Sequence, residues 1–134
     1  MKLAYKNVID GDLVNYQWIM EEVKTAKACL KMALSACKIG ELSGVECRGY
    51  QDMDEHENVC TFATQKEFAE GLDKVKKIEA DRIELTLKVD GEEVNVTFGP
   101  CSDRDAGNWV KVYGREDIVK KVSAELKNMV GGIH

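Results

Sequence analysis

Residues 83–98, IELTLKVDGEEVNVTF, alternate apolar and polar side chains on both sides of a central Asp90-Gly91 pair. A two-residue Asp-Gly connection is typical of a type I′ turn, because both residues tolerate a positive φ. This turn sets the pairs Ile83–Phe98, Leu85–Val96 and Leu87–Val94 on one face, and Lys88–Glu93 and Thr86–Asn95 on the other. The segment therefore predicts a β-hairpin with one dry face and one wet face, and helices that cover only one side of its sheet.

Upstream of the hairpin, apolar residues recur three and four positions apart between Tyr16 and Cys37, which is the spacing of an apolar helical stripe. Lys38 and Gly40 follow as a cation and a helix-ending glycine. The pattern predicts a short strand over Leu3–Ile9 and a long N-terminal helix from Asp12 to Lys38. Such a helix has more apolar surface than one small sheet can cover. We therefore expect it to contact another subunit through Tyr16, Trp18, Ile19, Val23 and Leu30.

The remaining elements follow from similar local signals. Thr64 and Glu67 form a capping box, which predicts the start of a second helix. The other predicted elements are strands over Leu42–Tyr50, Asn58–Phe62 and Trp109–Tyr113, and a last helix over Arg115–Val130. The order β-α-ββ-α-βββ-α predicts a single α+β domain over residues 1–134, with a mostly antiparallel sheet of five to six strands and two further helices packed on one face.

The composition narrows the range of partners. The 134 residues have a formal net charge of −5, with lysines interleaved among the acids. This balance argues against binding to a nucleic-acid backbone or to an anionic membrane surface, since both require a basic patch. Met1–Asp12 lacks the apolar run of a signal peptide, and no stretch approaches the ~20 apolar residues of a membrane-spanning helix. We expect a cytoplasmic protein.

The five cysteines, Cys29, Cys37, Cys47, Cys60 and Cys101, show no C-x-x-C spacing. In a reducing cytosol they are most simply small buried apolar residues, and their spacing does not fit a zinc site. Cys47 and Cys60 could face each other across a second hairpin. A thiol nucleophile would pair Cys60 or Cys101 with His56, but the acids beside His56 favour its protonated form, which is a poor general base. The sequence does not decide whether the protein is an enzyme, but the poor general base argues against it.

Two polar segments have acids at spacings that could bind Ca²⁺ or Mg²⁺: Asp103, Asp105 and Asn108, and Asp52, Asp54 and His56. Neither matches the full ligand spacing of an EF-hand loop, and no glycine-rich phosphate loop is present in the sequence. We therefore expect ordinary polar loops, no metal and no cofactor.

Aromatic and cationic residues converge at one place in the sequence. Trp109, Lys111 and Tyr113 alternate on the wet side of a predicted strand, and Arg104 and Arg115 flank it. Aromatics interleaved with cations can stack a base or hold a small anion. An ordinary strand with one core tryptophan is the simpler interpretation.

Three functions remain in view. The first is a small non-enzymatic interaction protein that self-associates through its N-terminal helix, with a dimer favoured, and that binds a protein partner. By analogy alone, such proteins include accessory factors or inhibitors of mobile elements. The second is a domain that binds a small anionic ligand or a nucleotide at the Trp109 strand. The third is a cysteine-dependent enzyme, which the absence of a convergent acid–base set disfavours.

Overall fold

The computed structural model describes residues 1–50 and 57–132, and these form one seven-stranded antiparallel sheet and four helices. The elements are β1 (Lys2–Asp10), β2 (Leu13–Met20), α1 (Ala26–Ala36), β3 (Glu41–Tyr50), β4 (Glu57–Phe62), α2 (Gln65–Glu70), α3 (Leu72–Lys77), β5 (Arg82–Val89), β6 (Glu92–Gly99), β7 (Asn108–Arg115) and α4 (Glu116–Val130). The strand order across the sheet is β1-β2-β7-β6-β5-β3-β4. The α+β class and the antiparallel sheet are confirmed, whereas the predicted order of elements, with five to six strands and three helices, is wrong.

The long N-terminal helix is the main error of the sequence-based prediction. Its first third is the strand β2, in which Val14, Tyr16, Trp18 and Met20 are buried and the residues between them are not. That period of two, carried by β-branched and aromatic side chains, favours a strand. The helical spacing of Tyr16, Ile19 and Val23 is coincidental, because Ile19 does not share the buried face of Tyr16.

Local signals explain why the chain turns twice in this segment. Gly11, at φ +56°, helps to close the β1–β2 hairpin, so Asp10-Gly11-Asp12 is a strand connection and not a helix start. Helix α1 begins only after Thr25, whose side-chain oxygen accepts a hydrogen bond from the Ala28 backbone N–H at 3.0 Å. An N-cap threonine satisfies one of the free N–H groups of the first helical turn.

The hairpin predicted over residues 83–98 is confirmed pair by pair, from Ile83 opposite Phe98 to Lys88 opposite Glu93. Asp90 and Gly91 both have positive φ, at 53° and 78°, as a type I′ turn requires. Burial alternates along β5, β6 and β7, so the sheet has one face packed in the core and one open face.

The second predicted helix is divided into α2 and α3 at Gly71. Thr64 caps α2 as expected, since its hydroxyl accepts from the Glu67 N–H at 3.1 Å. A Cβ atom at Gly71 would clash with the ring of Phe62, which stacks on Phe68 with centroids 5.6 Å apart. Gly71 lowers the helix propensity of this segment, and its missing side chain leaves room for the Phe62 ring.

Helix α4 covers β2 and β7 from the core side. Its residues Ile118, Val122 and Leu126 are buried. The Trp18 indole N–H donates to the Ser123 hydroxyl at 3.0 Å, and Lys127 Nζ lies 4.4 Å from the centroid of the Trp18 ring. None of the helices within residues 1–50 and 57–132 has the length and apolar character needed to cross a membrane.

A buried asparagine joins the β2–α1 connection to the β6–β7 loop. The Asn108 side-chain amide donates to the carbonyl oxygens of Val23, at 2.9 Å, and Ser102, at 3.0 Å. Its Oδ1 accepts from the Ser102 N–H at 3.2 Å. Asn108 has no exposed surface, so these bonds replace the water that its amide loses on folding.

We predict that Asn108→Asp lowers the free energy of unfolding by about 3 kcal/mol or more, because a carboxylate cannot donate to two buried carbonyls and adds an unpaired buried charge. Urea unfolding followed by circular dichroism measures this loss. The control is Asn128→Asp on the exposed side of α4, for which we expect a change within about 0.5 kcal/mol. Equal effects of the two substitutions would contradict the role given to Asn108.

Candidate functional site

The strand β7 presents the predicted aromatic and cationic residues on the open face of the sheet. Trp109 and Lys111 are half-buried and Tyr113 is exposed, while Val110 and Val112 between them lie in the core. Lys111 Nζ lies 5.0 Å from the centroid of the Trp109 ring. The structure thus brings these three side chains onto one face, in the arrangement the sequence predicted.

Of the two arginines, only Arg115 adjoins this group, since it follows Tyr113 on the same face of β7 and lines the same pocket. Arg104 lies in the loop before β7, where its backbone N–H donates to the Lys24 carbonyl at 2.8 Å. Arg115 is the last residue of β7, and an eight-residue strand is about 25 Å long. The two cations therefore flank β7 from opposite ends, and they do not converge on one ligand.

Arg115 is also engaged by acids of its own chain. It forms a two-pronged pair with Asp117, with nitrogen–oxygen distances of 3.1 and 2.8 Å, and a further pair with Glu92 at 3.2 Å. The hydrogen bonds from Arg115 hold the pKa of Asp117 below its usual range. An anion at this end of β7 would have to compete with these carboxylates.

Trp109, Lys111 and Tyr113 offer two aromatic rings and one cation on the open face. The Trp109 ring packs over Gly99 of β6, where a Cβ atom would clash with it. The neighbouring strands add Thr97 and Gln17 beside Lys111, and the next strand in the same row adds Glu84. Trp109 and Tyr113 are about 13 Å apart along β7, so a small aromatic ligand would stack on one of the two rings, with Lys111 between them as its cationic contact.

The residues predicted to form an N-terminal helical interface are mostly part of the chain's own core. Tyr16, Trp18, Val23 and Leu30 are all buried against the sheet and helices. Ile19 is half-buried on the open face, opposite Trp109 of β7. The surplus apolar surface that motivated this interface came from treating β2 and α1 as one helix, and it disappears when they are separated.

Exposed apolar surface is concentrated instead on β1, which sequence analysis treated only as a short strand. All nine residues of β1 are exposed, including Leu3 (43%), Tyr5 (43%), Val8 (59%) and Ile9 (48%). Within the described part of the chain, β1 pairs with one strand, β2, and stands at the edge of the sheet. The apolar residues of β1 are visible in the sequence as LAY and VI, but its place at the edge of the sheet is seen only in the structure.

The register of β1 on β2 assigns its side chains to the two faces. Leu3 lies opposite Trp18 and Val8 opposite Val14, so both are on the helix side. Lys2 and Asp10 lie opposite Ile19 and Leu13, on the open side. Lys6 lies opposite Tyr16, on the helix side. Its Nζ contacts Glu116 Oε2 at 3.1 Å and lies 5.3 Å from the centroid of the Tyr16 ring.

The thiols lie mainly in the core, as the sequence predicted. Cys29, Cys37 and Cys47 are buried, Cys60 and Cys101 are half-buried, and all five are free. Cys47 lies directly opposite Cys60 across β3 and β4, as anticipated. Burial raises the pKa of Cys37 to about 11 and also raises the pKa of Cys60. Such thiols remain protonated at neutral pH and are therefore weak nucleophiles there.

In the described acidic segment, Asp103 and Asn108 are engaged in hydrogen bonds within the chain. Asp103 Oδ1 accepts from the Ala26 N–H at 3.1 Å, and the Asn108 amide is occupied by its three hydrogen bonds. Within the described ranges, no group of three or more histidine, cysteine or acidic side chains is placed to hold a metal ion. The alternative set of Asp52, Asp54 and His56, and the pairing of His56 with a thiol, lie outside the described residues.

Comparison with known proteins assigns no relationship. No family model, no curated protein and no solved structure matches the chain. Any function must therefore be argued from the surfaces of the molecule itself.

Proposed function

We propose that the chain is a non-enzymatic interaction protein of the cytoplasm that self-associates through its edge strand β1. The observation that carries this proposal is that all nine residues of an edge strand are exposed, four of them with large apolar side chains. An edge strand offers a row of backbone donors and acceptors to a second strand, and it pairs readily unless charge, proline, β-bulges or short length prevent it. β1 contains no proline and is longer than most strands in globular proteins. Its register shifts lie between Leu3 and Tyr5 and between Val8 and Asp10, so Tyr5 to Val8 remain a regular stretch at its centre.

The occupant that fits β1 best is the β1 strand of a second copy. An antiparallel pairing centred on Lys6 places Lys2 opposite Asp10 of the other copy, and Asp10 opposite its Lys2. Both residues lie on the open side, so the two ion pairs form on one face. In the same register Leu3 meets Ile9 and Ala4 meets Val8, which buries apolar surface on both sides of the axis.

This arrangement is closed by a two-fold axis, since each copy presents the same strand to the other. The axis brings the two Lys6 side chains together, which by itself is unfavourable. Each Lys6 forms an ion pair with Glu116 of its own chain, and the negative charge of Glu116 reduces the repulsion between the two lysines. The same contact raises the pKa of Lys6. The product is one continuous sheet that runs through both copies.

We predict that the protein has twice the mass of one chain in light scattering and that Val8→Lys shifts it to the monomer. A lysine at this exposed site on an edge strand is a common natural means of blocking strand pairing. The matched control is Val59→Lys on β4, the opposite edge of the sheet, where valine is 48% exposed. A dimer that persists in Val8→Lys, or that is lost only in Val59→Lys, would exclude β1 as the interface.

The register has its own test. Asp10→Lys converts both ion pairs into repulsive contacts, and we expect dimer dissociation to become roughly ten- to thirty-fold easier. The double variant Lys2→Asp/Asp10→Lys restores opposite charges in the same places and should regain the affinity of the parent chain. If the double variant is as weak as the single one, the pairing is not centred on Lys6.

The Trp109 strand supports a second candidate, a domain that binds a small planar anion such as a nucleotide. The observation in its favour is the cation of Lys111 held 5.0 Å from the Trp109 ring on an open face. We predict that an adenine nucleotide quenches the tryptophan fluorescence of the parent chain and leaves that of Trp109→Phe unchanged, because the remaining Trp18 is buried. Unchanged fluorescence in both proteins would remove this candidate.

A further inference from the structure

Two cysteines that are 72 residues apart in the chain lie in contact. The Sγ atoms of Cys29, on α1, and Cys101, in the β6–β7 loop, are 3.3 Å apart. Cys29 is fully buried and Cys101 is half-buried. A disulfide needs its sulfurs about 2.05 Å apart, so a displacement of little more than 1 Å would join this pair.

The backbone around both residues is held in place by other contacts. Ala26, at the start of α1, donates to Asp103 of the same loop, and Asn108 bonds to Val23 just before the helix. Cys101 itself has φ of +55°, a left-handed conformation that is uncommon for a residue with a side chain. The backbone contacts around the two cysteines therefore hold their sulfur atoms close to each other.

A cleft gives small molecules a route to Cys101. It has a volume of about 350 Å³ and lies between α1, α3 and the β6–β7 loop. Its apolar lining includes Leu30, Val75, Pro100 and Cys101. Its polar lining includes Lys76 and Asp81. Cys29 is not part of this wall, so a reagent that enters the cleft meets Cys101 first.

We propose that Cys29 and Cys101 are a thiol oxidation site, which closes to a disulfide on reaction with a low-molecular-weight disulfide. The Cys101 thiolate attacks one sulfur of the reagent and releases the first half of it as a thiolate. The Cys29 thiolate then attacks the Cys101 sulfur of the mixed disulfide, and the second half leaves. Two cysteine thiols are oxidised, one reagent disulfide is reduced, and the two protons pass to the released thiols.

The site is built to react slowly at neutral pH. Hydrogen bonding to Cys29 and burial both hold the pKa of Cys101 above its usual value. Because only the thiolate attacks, closure should accelerate as the pH rises. The disulfide would tie α1 to the β6–β7 loop and close a long segment of chain, which restricts the unfolded state.

The test is a disulfide map of the folded, full-length protein after incubation with oxidised glutathione at pH 8.5. Each of the five cysteines falls in a different tryptic peptide, so a linked pair is identified without ambiguity. We expect the peptides of Cys29 and Cys101 to be joined, with an increase in Tm on the order of 10 °C that a reducing agent reverses. In urea, where the fold no longer holds the pair together, the selectivity should be lost.

Variants separate this pair from its competitor. Cys29→Ala and Cys101→Ala should each abolish the intramolecular link, whereas Cys37→Ala, at a buried thiol of the same α1 region, should leave it intact. A link between Cys47 and Cys60, glutathione adducts without any intramolecular link, or thiols that stay reduced in the folded parent chain would each overturn the proposal. The map of the parent chain decides the matter even if a variant fails to fold.

Discussion

The antiparallel pairing of β2 with β7 is the constraint on which the rest of this molecule depends. It joins the first hairpin of the chain to the last strand and brings Trp18 under α4, where its indole N–H finds the hydroxyl of Ser123. It also brings the β2–α1 connection against the β6–β7 loop, so that Asn108 can bond to Val23. Burial of one face of β2 thereby fixes both the core and the loop contacts around it.

The same pairing determines which surfaces are left for a partner. Because β2 is the inner strand of its hairpin, β1 stands at the edge with all nine residues exposed. Along β7 itself, Val110 and Val112 take the core face, so Trp109, Lys111 and Tyr113 face the open side of the sheet. The contact between Cys29 and Cys101 is a further result, since it depends on the loop that Asn108 and Asp103 attach to the start of α1.

The sequence predicted best where several local signals agreed on one register. Residues 83–98 combine a turn, apolar pairs and a charge pair, and every predicted partner is confirmed. β2 was missed because its apolar residues are compatible with both a period of two and a helical spacing. The local signal that separates the strand from the helix is Thr25, the N-cap at which α1 begins, well after β2 ends. A prediction that treats β2 and α1 as one helix gives β1 no neighbouring strand in the sequence, so it cannot place β1 at the edge of the sheet.

The candidate sites show the same division between local and long-range information. The alternation of Trp109, Lys111 and Tyr113 is a local property, and the structure preserves it. The separation of Arg104 from Arg115 follows from the length of β7, which proximity in the sequence conceals. The contact of Cys29 with Cys101 joins residues 72 positions apart, and no spacing rule within one element predicts it.

Amide hydrogen exchange over residues 2–10, measured at a series of protein concentrations, tests the central claim most directly. Pairing of β1 with a second copy engages backbone N–H groups that face solvent in the single chain. The account predicts that protection of these amides increases with concentration, in parallel with the rise in solution mass. Exchange in residues 2–10 that stays the same at every concentration, or concentration-dependent protection confined to β4, would contradict it.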